Sequence, residues 1–189
     1  MATQANVQSR QNNNEATKDS QNHNAQLQPA GAKQGITPCL WFDTQAEEAA
    51  NFYVALFKNS KLGQVSRYGD AAAEASGQPK GSAMTVSFQL SGQEFLGLNG
   101  GPVFQFSPAI SFVVNCENQE EIDRLWDALA QGGEIQQCGW LKDKYGVSWQ
   151  IVPTILPELI KSQEPGKAER VMAALMKMTK LNIRILEQA

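Results

Sequence analysis

A short apolar run, a helix with an acidic first turn and a set of alternating strands occur in this chain twice, in the same order. The first copy opens with Ile36-Thr37-Pro38-Cys39-Leu40-Trp41-Phe42, rich in strand formers. Thr44 and Glu47 then stand at capping-box spacing, and Ala46, Ala49, Ala50, Tyr53 and Phe57 recur at helical intervals. Residues 64–68 read as a short strand. Met84, Val86, Phe88 and Leu90 alternate with Ala83, Thr85, Ser87 and Gln89, and Ser91-Gly92 turns the chain into a strand over 93–98. Gly69 to Gly81 reads as a surface loop, and Asn99-Gly100-Gly101-Pro102 breaks the chain.

The second copy places a strand over Ala109–Val114, a cap at Asn118 with Glu121, and Ile122, Leu125, Trp126 and Leu129 on one helix face. Gly132-Gly133 ends that helix. Strands follow at about 134–137, 139–142 and 147–153, with Asp143-Lys144-Tyr145-Gly146 as a turn. The order is βαβββ twice. The predicted fold class is therefore α+β, with module one over about 35–102, module two over about 107–154 and curved mixed sheets around a cleft. A helical segment over about 155–187 completes the domain. Its Val171, Met172, Leu175, Met176 and Met178 form an apolar face suited to a sheet or a partner subunit.

Residues 1–34 are dominated by Gln, Asn, Ala and Ser and cannot repay the entropy of ordering, so a disordered polar tail is expected there. The sole histidine, His23, lies in it. The chain of 189 residues, 42% hydrophobic, can bury one sizeable core. A net charge of -3 gives no basic footprint for nucleic acid or an anionic membrane. No apolar run reaches membrane-spanning length and the first residues lack a secretory core, which predicts a cytoplasmic protein. Three cysteines, Cys39, Cys116 and Cys138, fit reduced thiols better than a disulfide framework.

Trp41-Phe42-Asp43, Asn51-Phe52-Tyr53, Leu98-Asn99-Gly100-Gly101-Pro102 and the run from Gly139-Trp140 through Gly146-Val147-Ser148-Trp149-Gln150-Ile151-Val152-Pro153 resemble the PhnB-like family of the vicinal-oxygen-chelate superfamily. Many of its members carry the label 3-demethylubiquinone methyltransferase-like, and the resemblance extends over residues 36 to about 186. It implies paired βαβββ modules and a homodimer. In metal-dependent relatives such as glyoxalase I and the extradiol dioxygenases, it implies a divalent ion held by His, Glu or Gln on four strands and acting as a Lewis acid. Carried onto this chain, those positions are Pro38, Ile110, Phe95 and Gln150. Only Gln150 could coordinate, so no metal and no cofactor is expected.

Strand parity taken from those positions aims Ser148 and Gln150 into the cleft together with Gln93, Phe95, Gly97 and Asn99, walled by Leu40, Phe42 and Phe112. Trp140 is the aromatic contact, and Trp149, facing opposite to Gln150, packs under a helix. This amide-rich, neutral lining suits a small neutral or aromatic ligand. No histidine stands ready to activate Cys138 or a serine, and Glu94 is the one carboxylate near the cleft without a capping or turn duty. A glycine-rich strand-to-helix turn of a nucleotide-binding sheet is missing, which speaks against S-adenosylmethionine. The leading reading is a metal-free small-molecule-binding protein. The alternatives are a glyoxalase/dioxygenase-like or quinone-related enzyme, and an interaction module whose cleft is filled by its own side chains.

Overall fold

The computed structural model describes residues 35–189, and the expectations for the tail and His23 lie outside the described residues. Module one runs β1 (Cys39–Phe42), α1 (Ala46–Leu56), β2 (Lys61–Arg67), α2 (Asp70–Ser76), β3 (Ala83–Leu90) and β4 (Gln93–Asn99). Module two runs β5 (Phe112–Cys116), α3 (Gln119–Ala130), β6 (Glu134–Ile135), β7 (Trp140–Lys142) and β8 (Ser148–Pro153). Three helices follow: α4 (Leu156–Ile160), α5 (Lys167–Leu175) and α6 (Ile183–Glu187).

The two modules have the same topology. Their sheets have the orders β1-β4-β3-β2 and β5-β8-β7-β6. In each the first strand runs parallel to the last, Phe42 beside Asn99 and Cys116 beside Pro153, while the other pairs are antiparallel. One helix covers one face of each sheet: α1 buries Ala46, Ala49, Ala50 and Tyr53, and α3 buries Ile122, Leu125, Trp126 and Leu129. The small α1 face matters because a Cβ on Gly97 of β4 would stand 3.1 Å from the Ala46 methyl. Helix and sheet approach as closely as their backbones permit.

Three local expectations are corrected. The strand placed at 109–114 begins only at Phe112, because Ser107-Pro108 keeps the preceding residues in turn conformations. The loop 69–81 contains α2, whose Ala-rich sequence favours a helix closed by Gly77 in the left-handed region. The Thr44/Glu47 capping box does not form. Asn99 instead reaches from the end of β4 so that its Oδ1 accepts from Ala46 N at 2.8 Å, a cap supplied from 53 residues away. By contrast Asn118 caps α3 as expected, its Oδ1 accepting from Glu121 N at 2.9 Å.

The helix-bearing faces of the two sheets share one core. Five rings close a circuit through it: Tyr53 to Phe88 at 6.4 Å, Phe88 to Phe95 at 5.4 Å, Phe95 to Phe112 at 5.2 Å, Phe112 to Trp149 at 5.4 Å and Trp149 back to Tyr53 at 5.3 Å. Strands in a sheet are ~4.8 Å apart, so joining the two sheets edge to edge would put β3 at least three spacings, ~14 Å, from β8. Phe88 of β3 and Trp149 of β8 nevertheless touch the same tyrosine ring. The sheets thus meet through their helix-bearing faces, and their helix-free faces look outward.

A second cluster, Leu156, Val171, Leu175, Leu181 and Leu186, packs α4–α6 against Val152 of β8 and Cys138. Backbone bonds from Cys138 N to Met178 O and from Gly139 N to Thr179 O, both 2.7 Å, pin this segment to the start of β7. Gln119 and Lys180 fasten it to α3, the lysine through Asp127 at 2.7 Å and Asp123 at 3.3 Å.

Candidate functional site

Two hydrogen-bonding faces are left open by this packing, one on each sheet. On the second sheet, alternation against the buried Leu141, Trp149 and Ile151 turns Trp140, Lys142, Ser148 and Gln150 to the helix-free side. Gln150 Nε2 donates to Ser111 Oγ at 2.9 Å, which fixes the amide orientation. Lys142 is held by Glu134 through an ion pair at 2.5 Å, and the same contact lowers the Glu134 carboxyl below its ordinary value. Ser148 is 2% exposed, and its Oγ is the buried side-chain oxygen or nitrogen that lacks a hydrogen-bond partner among the described residues. Leaving a hydroxyl dry and unbonded costs about 1–3 kcal/mol.

On the first sheet the corresponding side carries Trp41, Thr85, Ser87, Leu96 and Leu98, with Cys39 at its edge. Its hydroxyls are engaged: Ser66 and Thr85 share a 2.5 Å bond, and Ser87 accepts from Gln64 N at 2.7 Å. Trp41 lies on Gly100, donates to Gly101 O at 2.9 Å and meets Phe104 edge-on at 5.0 Å. A side chain at residue 100 would overlap the indole, so glycine is required there.

Of the residues expected to line a cleft, Trp140, Ser148 and Gln150 share the open face of the second sheet. The others belong to the core side, which corrects the parity assigned from sequence. Leu40, Phe42 and Phe95 are buried with Gly97 against α1, Asn99 spends its amide on Ala46 N and Ala83 O, and Phe112 is locked between Phe95 and Trp149. Gln93 shares their side of β4, with its amide donating to Glu94 O at 3.0 Å. The physical reason is that β4 is apolar on both faces, Phe95 alternating with Leu96 and Leu98, so its pattern does not specify which side meets the helix.

Asp143 proves more important than a turn residue. Its Oδ1 accepts from Tyr145 N and Val147 N at 2.9 and 3.0 Å, and its Oδ2 accepts from Tyr53 Oη at 2.6 Å and Trp149 Nε1 at 2.8 Å. The carboxylate therefore ties α1 of module one to the β7–β8 turn of module two. Burial pushes its carboxyl above the ordinary range against the pull of these four donors, and burial with the adjacent Asp143 pushes Tyr53 well up. Nothing in the sequence spacing marked the tyrosine as its partner, since the two stand 90 residues apart.

The donor set does not fit a chelated divalent metal. With parity corrected, the helix-free positions on the four parallel strands are Cys39, Leu96, Val113 and Gln150, where Pro38, Phe95, Ile110 and Gln150 had been expected, Ile110 lying before the start of β5. Two of the four have no donor atom, and the remaining thiol and amide stand on different sheets. No three His, Cys, Asp or Glu side chains converge among the described residues. Burial also raises the Cys39 thiol and drives Cys116 to about 12, so neither is a ready thiolate.

Residues 34–152 match the sequence profile of the family described as 3-demethylubiquinone-9 3-methyltransferase. The chain belongs to this PhnB-like family. A solved PhnB protein from Bacillus cereus is 40% identical, with the match covering 64% of this chain and all of that one at a TM-score of 0.58. A protein from Pseudomonas aeruginosa is 23% identical over 64% of this chain and 98% of its own, with a TM-score of 0.52, and shares the fold. No curated protein matches. The PhnB-like match ends within β8, at Val152, so α4–α6 lie beyond it, short of the span to about residue 186 expected from sequence. No helix among the described residues is long and apolar enough to cross a membrane.

Proposed function

We propose that this PhnB-like chain is a small-molecule-binding protein that takes a neutral or aromatic ligand without a resident metal. The observation that carries this reading is the buried, unbonded Ser148 hydroxyl, set on one face with the oriented Gln150 amide and the half-buried Trp140 ring. A hydroxyl and an amide offer hydrogen bonds to a neutral polar group, and an indole offers a flat apolar surface. Pairing of Lys142 with Glu134 removes the free positive charge that an anionic ligand would need.

The site is completed in a homodimer. Because the two helix-free faces of one chain point away from their shared core, neither is opposed by the other. A twofold dimer sets the first sheet of each chain against the second sheet of its partner and forms two identical clefts. The open face carries exposed apolar side chains consistent with such a covering, among them Val113 at 52% exposure. Sedimentation velocity combined with tryptophan-fluorescence titration against a panel of neutral phenols and quinones tests both elements. The expected result is a dimer whose saturable quenching is lost in Trp140→Phe and weakened about tenfold in Ser148→Ala. A monomer that quenches with none of the panel sinks the proposal.

The family's description favours a second reading, an enzyme acting on a quinone-like substrate. Among the described residues there is no glycine-rich strand-to-helix turn for a nucleotide-type cofactor. Turnover of a quinol by the purified protein, abolished by Gln150→Ala, would replace the binding reading.

A further inference from the structure

We propose that Cys138 and Met176 form a site for a soft monovalent metal ion of the Cu(I) class, separate from the ligand face. Cys138 Sγ lies 3.6 Å from Met176 Sδ. Two metal–sulfur bonds of about 2.3 Å would close on that spacing at an angle of roughly 100°, which a d10 ion accepts in trigonal or tetrahedral coordination. Met178 lies close by in the backbone, its carbonyl accepting from Cys138 N at 2.7 Å, and solvent would supply any further ligand at this exposed position. Thiolate and thioether together select soft ions, and the absence of a convergent His, Asp or Glu set among the described residues gives a harder ion no cage.

Two further observations support entry and fixity. Met176 is 62% exposed and Cys138 half-buried, so an ion can be delivered from a carrier or chelator without opening the core. The backbone of residues 138–139 is pinned to residues 178–179 by two 2.7 Å bonds, which keeps the sulfurs together before any ion arrives. Binding displaces the thiol proton to solvent and links β7 to the C-terminal helices. Cys138 lies within the PhnB-like match and Met176 beyond it, so the site would join the two segments.

Titration of the full-length reduced protein with Cu(I) against bicinchoninate under anaerobic conditions, with stoichiometry read by native mass spectrometry, tests it. One ion per chain is expected, retained in Cys39→Ser, lost in Cys138→Ser and bound at least tenfold more weakly in Met176→Leu. Leucine at the exposed position 176 leaves the fold intact, so that variant decides the thioether's part. Unchanged affinity in Met176→Leu, loss of the ion in Cys39→Ser, or no binding by the wild-type chain overturns the proposal.

Discussion

Single side chains carry more than their sequence positions announce. Ser148 is the sharpest case, because removal of an unsatisfied buried hydroxyl separates stability from function. Ser148→Ala is expected to raise the unfolding free energy by about 1 kcal/mol in urea titration, while weakening ligand capture. Asp143 behaves in the opposite way. Tyr53→Phe strips one donor from its carboxylate and is expected to cost about 2 kcal/mol by the same measurement, in the range for hydrogen bonds to charged groups. The sign of the pH effect follows from the raised Asp143 value. Its folded pKa exceeds the unfolded value near 3.8, so the folded chain binds the proton more readily. The contribution of this group to stability is complete below the unfolded pKa and is lost as pH rises through the folded one. The stability of the wild type relative to Asp143→Asn should therefore shrink as pH rises from 3.8 through the acid range, which urea unfolding at a series of pH values checks.

Among the elements, legibility tracked how one-sided each segment is. α3 was read correctly because its apolar residues fall on one face and its cap is local, and β3 because polar and apolar residues alternate cleanly. β4 was placed but turned the wrong way, since Leu96 and Leu98 on one side rival Phe95 on the other and Gly97 hides the close approach of α1. That inversion carried Asn99, Phe95, Leu40 and Phe42 into the expected lining, while on β8 Ser148 and Gln150 alternate with the buried Trp149 and Ile151 and so lie on the helix-free side. The cap on α1 was hidden for a different reason, because no local spacing records a side chain that arrives from another strand. Asn99→Ala should cost about 2–4 kcal/mol in thermal unfolding, leaving Ala46 N and Ala83 O without their buried partner.

At the scale of the whole molecule, one aromatic core serves both modules, so the two halves unfold together. Urea transitions followed by tryptophan fluorescence and by far-ultraviolet dichroism should coincide. The C-terminal extension has its own small cluster and a separate expectation. Leu181→Ala, at a fully buried position against Gly139, should cost about 2–4 kcal/mol and loosen α6 from α3. Hydrogen exchange at residues 181–187 would report that loosening ahead of the strands.

The parallel pairing of first and last strands has a consequence of a different kind. Because β1 runs parallel beside β4 and β5 beside β8, the chain enters each half at one end of a strand pair and leaves it at the other. Each half is therefore a unit whose first strand is held by its own last one, and the stretch between Asn99 and Phe112 is the peptide tether between the two. Such a tether can be cut, lengthened or rerouted without disturbing a single strand pairing. A gene severed there would yield two polypeptides, each keeping every one of its own strand pairings and meeting the other through the shared aromatic core.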